Sequence, residues 1–186
     1  TLFIADVTPN PNIKEVLSKI YNSADKYVKN IVIPNKKETK NILLWRPSDI
    51  SEIEEVITKG GNWILLIKSA TNVLRGDNFV FVYPELLPDR IIVSRGEVIT
   101  SEIIEKNGLA YKNINSKITT LLRKTRDKIK SRGSLVKEIT TRGDFIKKIR
   151  DSLNTNQNNK YRLEVVSLKD SKTADPIIVE LNIIKL

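Results

Sequence analysis

Four short, almost uninterrupted apolar runs, separated by amphipathic or polar stretches, constrain what this chain can become. Residues 2–7 (LFIADV), 42–45 (ILLW), 63–67 (WILLI) and 79–83 (FVFVY) are too short to be buried helices and too apolar to face water. Such runs read as strands of a sheet covered on both faces. Between the first two, Ile13, Val16, Leu17, Ile20, Tyr21, Ala24, Tyr27 and Val28 recur at helical spacing. They trace one face of a helix that opens at Asn10-Pro11 and runs to about Lys29. A short strand at 31–33 (IVI), stopped by Pro34, is expected next.

A second helix follows the run at 42–45. Ser48 or Asp49 is expected to cap it, Asp49 with Glu52 fitting a variant of the capping box. Its apolar face is Ile50, Ile53, Val56 and Ile57, and Gly60-Gly61 stands where a left-handed cap ends a helix. A strand at 91–93 completes this half. The alternation predicts an α/β domain over 1–97, with βαβ units building a mainly parallel or mixed sheet with flanking helices.

The remainder, 98–186, reads as a basic helical domain ending in a β-hairpin. A short helix is expected at 101–106. Ile114, Ile118, Leu121, Leu122 and Ile129 then mark one face of a long helix. Lys117, Lys124 and Lys128 flank this stripe on one side, and Arg123, Arg126 and Lys130 on the other. Gly133 stops the helix and Ser134 caps another at 135–140. Phe145, Ile146, Ile149 and Leu153 carry a last helical face, and two strands at 162–168 and 177–186 form the hairpin. This is the element order of a winged helix-turn-helix. In that arrangement 144–153 is the recognition helix, presenting Lys147, Lys148 and Arg150, and 169–172 is the wing.

Charge is distributed unevenly. The chain carries 32 basic and 22 acidic side chains, a net of +10. Residues 112–150 hold 13 of the basic groups against Asp127, Glu138 and Asp144, so the entire excess falls there. Concentrated positive charge on helices is the electrostatic footprint of a polyanion partner.

What the chain lacks narrows the chemistry. Without cysteine or histidine there is no thiol nucleophile, no imidazole base and no zinc-thiolate site. The seven glycines are too scattered for a phosphate-binding P-loop. A binding module without a cofactor is therefore expected rather than an enzyme. The apolar runs fall well short of the roughly 20 residues that span a bilayer, so no membrane partner is expected, and the setting is read as cytoplasmic. A start at Thr1 with no methionine anywhere points to an excised domain or processed product.

The stretch LRGDNFVFVYPE, residues 74–85, followed by the long basic tract, resembles part of a family of large prokaryotic AAA-type ATPases. These are often encoded beside DNA methyltransferases in defence loci. In that family an Arg-Asn-rich turn leads into an aliphatic strand ending in an acidic residue. This chain inserts Gly76-Asp77 in the turn and has no Walker motif. The resemblance implies a segment outside the phosphate-binding core and work linked to nucleic acid. No catalytic residue carries over.

The leading expectation is a nucleic-acid-binding module contacting the phosphate backbone through Lys117, Arg123, Lys124, Arg126, Lys128, Lys130, Arg132, Lys147, Lys148 and Arg150. DNA is preferred to RNA as the partner. The alternative is an assembly domain of a larger, ATPase-like complex whose basic helices dock an acidic protein or the rest of a longer chain. A weaker alternative is a metal-dependent nuclease built on Asp6 and Glu85, carboxylates expected at the ends of strands.

Overall fold

The chain is of mixed α/β architecture in two units, Thr1–Asp89 and Arg90–Leu186, and the four apolar runs pair as strands of one sheet in the first. A computed structural model describes residues 1–33, 40–105, 111–143, 147, 149, 151 and 160–186. Among these, no helix is long and apolar enough to cross a membrane.

The first unit contains β1 (Phe3–Val7), α1 (Ile13–Val32), β2 (Leu43–Leu44), α2 (Pro47–Thr58), β3 (Trp63–Ser69) and β4 (Val80–Pro88). Its sheet runs β1-β3-β4-β2. Only β2 and β4 lie parallel; β3 is antiparallel to both its neighbours. The sheet is thus mixed, not mainly parallel. Leu65 and Ile67 of β3 pack under the helices in two apolar clusters.

The expected strand at 31–33 is not formed: Ile31 and Val32 end α1 and Ile33 caps it. Val28 and Val32 lie one turn apart on its buried face and pack with Ile42, Leu43, Val80 and Val82. That tertiary burial outweighs the β preference of the sequence IVI. The second helix begins at Pro47, earlier than Ser48 or Asp49. Asp49 does not cap it; its carboxylate is held by the Arg46 guanidinium. Gly60, at φ +105°, terminates it as expected.

Asp25 ties α1 to β2. Its buried carboxylate accepts hydrogen bonds from the Ile42 and Leu43 amides at 2.8 and 2.9 Å, and Lys29 Nζ lies 2.7 Å away.

The second unit contains β5 (Ile91–Val93), β6 (Val98–Glu105), α3 (Tyr111–Ser131), β7 (Ile139–Thr141), β8 (Lys160–Ser167), β9 (Ser171–Lys172) and β10 (Ile177–Lys185). A four-stranded sheet runs β6-β8-β10-β7, and β5 pairs with β9. This last pairing assigns 91–93 to the second unit, where the sequence placed it in the first. The core gathers Ile118, Leu121 and Ile129 of α3 against Ile99, Ile104, Tyr161, Leu163, Val165 and Val179.

Three expectations for this half are corrected. The helix expected at 101–106 is not formed: 101–105 belong to β6, paired along its length with β8, and 106 lies outside the described residues. The expected helix at 135–140 is not formed either; its end enters β7, which pairs in parallel with β10. The hairpin β8–β10 forms, but as the central pair of the sheet, and 171–172 are paired to β5 instead of projecting. The element order of a winged helix is therefore not reproduced among the described residues. Of the expected recognition helix, residues 147, 149 and 151 are described; they are helical, with Ile149 buried in the core and Lys147 exposed. Lys148 and Arg150 lie outside the described residues.

Candidate nucleic-acid interface

Helix α3 is amphipathic, and its cations divide into two flanks with different fates. At about 100° per residue, Lys117, Lys124 and Lys128 lie to one side of the buried stripe and Arg123, Arg126 and Lys130 to the other.

The first flank is fastened to β5, β6 and their connection. Lys124 Nζ lies 3.3 Å from Glu102 Oε2. Lys128 Nζ donates to the Ile99 carbonyl at 2.6 Å. Arg132, just past the helix end, donates to Glu97 Oε1 at 2.6 Å and to the Ile92 carbonyl at 3.2 Å. The three sit four residues apart, one above another along the helix.

The strand supplies matching acceptors because its register shifts between Val98 and Thr100. A bulge takes one residue out of the ladder, and the carbonyl of Ile99, at that shift, is the one Lys128 reaches. Beyond the shift, Thr100, Glu102 and Ile104 stand opposite Val165, Leu163 and Tyr161, on the core face. This turns Glu102 towards Lys124 and brings the Thr100 and Thr125 hydroxyls into hydrogen-bond contact. Partial burial pushes the Glu97 carboxyl up. The Arg132 guanidinium, the Ser94 amide and the Lys128 charge outweigh this and hold it below its ordinary value.

The other flank is open. Arg123, Arg126 and Lys130 fall within an arc of about 60° on the exposed side of the helix. Arg123 and Lys130 make no ion pair among the described residues, and Arg126 has only a loose approach of 3.9 Å to Asp127. Beside them a hollow of about 410 Å³ opens between α3 and the segment entering β7. Thr119, Leu122, Arg123 and Arg126 line it from the helix, and Lys137, Glu138 and Ile139 from the opposite wall. Among the described residues, three cations line the hollow, Arg123, Arg126 and Lys137, with a single carboxylate, Glu138.

The structure thus separates the expected contact residues. Arg123, Arg126 and Lys130 converge on the open flank. Lys124, Lys128 and Arg132 are committed to internal partners. Lys117 is half-buried on their side, and Lys147 is exposed and without an ion pair among the described residues. Lys137 was missed: read as part of a helix, it had no defined direction, and only the strand that follows it sets it across from Arg123 and Arg126.

Asp6 and Glu85 do not meet. Asp6 pairs with Ile64 in β1, and Glu85 lies inside β4, not beyond its end, opposite Leu66. Two strand spacings and two residues separate them, roughly 12 Å between Cα atoms. Glu85 is in contact with Lys68. Among the described residues, no three acidic side chains are grouped to hold a metal ion.

Comparison with protein-family models, with curated proteins and with solved structures finds no match.

Proposed function

We propose that the second unit binds nucleic acid through its phosphate backbone, using Arg123, Arg126 and Lys130 of α3 with Lys137 across the hollow. The observation that carries this reading is the cluster itself: cations gathered on one exposed flank with almost no carboxylates to neutralise them. Positive groups held together without partners repel one another and raise the local potential, which an anionic chain relieves by displacing condensed counterions. Arginine suits the task, since its planar fork meets phosphate oxygens in pairs. Among the described residues no aromatic side chain lines the hollow, so the contacts position a backbone more than they read bases.

Fluorescence anisotropy with labelled DNA and RNA across roughly 50–200 mM salt tests the proposal. Log affinity should fall linearly with log salt. Arg123→Gln and Arg126→Gln should each reduce that slope by about one phosphate contact. Lys124→Gln, whose parent side chain is already occupied by Glu102, should leave the slope unchanged. Absence of binding at the lowest salt overturns the proposal.

A further inference from the structure

Resting on that reading, we infer that the open flank of α3 takes a single strand in preference to a duplex. A helix docked in a major groove, about 12 Å wide, lies between two phosphate backbones and needs cations on both flanks. Helix α3 cannot offer them. Towards β6, Lys124, Lys128 and Arg132 are already held, and the groups holding two of them are the carboxylates Glu102 and Glu97. A second backbone arriving there meets anions and occupied cations.

The exposed ridge adds to this, because Asp127, 61% exposed, stands between the two flanks. Among the described residues, Lys117 on the β6 side is half-buried, and the exposed cations without a close ion pair gather on the side facing β7, a hollow walled by Lys137, not a projecting helix. Its floor includes Leu122 and Ile139, apolar surface that a splayed base or sugar can cover once its phosphates engage the arginines. Bases locked in a duplex cannot reach that floor without unpairing.

The test is competition at one low salt concentration between a labelled single strand and its blunt duplex of the same length, as DNA and as RNA. The single strand should bind about tenfold or more tightly, the advantage coming from bases or sugars that cover the apolar floor while one backbone engages the arginines. Thr119→Glu, which sets a carboxylate at the exposed rim of the hollow, should weaken single-strand binding several-fold. Glu102→Gln, which removes an anion from the other flank and releases Lys124, should strengthen duplex binding and narrow the gap. Duplex binding equal to or tighter than single-strand binding, still dependent on Arg123 and Arg126, overturns this inference and leaves the proposed function standing. Loss of all binding to either form overturns both.

Discussion

Asp25 shows how a buried carboxylate is tolerated when its oxygens are all engaged. Two backbone amides and an ammonium surround it. Asp25→Ala would leave those donors without an acceptor in a site that water barely enters, and should destabilise the first unit by about 3 kcal/mol. The urea midpoint reads this directly, and Asp25→Asn, which keeps one acceptor, should fall between. Glu97 carries a pH dependence. Its carboxyl is depressed in the folded protein, so its contribution is present above the ordinary value of 4.5 and is lost as pH falls through the lower, folded value. The stability difference between Glu97→Gln and the parent should therefore shrink once the pH drops below 4.5. A difference that stays constant down through the acid range would remove the Arg132–Glu97 pairing as its source.

At the scale of elements, the two flanks of α3 should separate stability from binding. Lys128→Met removes the donor to the Ile99 carbonyl at the bulge and should cost about 1 kcal/mol, with the salt slope of binding intact. Leu121→Ala, at a fully buried position, should cost about 2–5 kcal/mol through the cavity it leaves. Thermal or urea unfolding of these variants beside Arg126→Gln, whose parent side chain is nearly unpartnered, makes the comparison. Helix α3 was legible from its apolar spacing, and so was the assignment of its cations to two sides. What those cations do was not legible, because it depends on β6. The sequence of β6 hides a strand: Thr100 and Glu102 are polar residues on the core face, and the bulge breaks the two-residue alternation that identifies strands. The strand read at 31–33 failed for the converse reason, since local preference for extended backbone yielded to packing of Val28 and Val32 on α1.

On the scale of the whole molecule, each unit has its own core, and the cationic hollow belongs entirely to the second. Residues 90–186 produced alone should keep the salt-dependent binding, and residues 1–89 should show none; anisotropy on the two pieces decides it. The division was read from sequence as falling after 97 because 91–93 looks like one more strand of the first half. Its partner, β9, lies far downstream, and such long-range pairing leaves no local trace. The two indole rings are equally one-sided. Trp45 and Trp63 are the only tryptophans of the chain and both lie in the first unit. They differ in setting: Trp63 Nε1 donates to the Gly60 carbonyl at 3.0 Å, whereas Trp45 Nε1 is buried without a hydrogen-bond partner among the described residues. Indole emission is thus an optical channel tuned to one half of the protein. A melting curve recorded through it follows residues 1–89, while circular dichroism sums both halves, and the offset between the two curves isolates the half that holds the hollow.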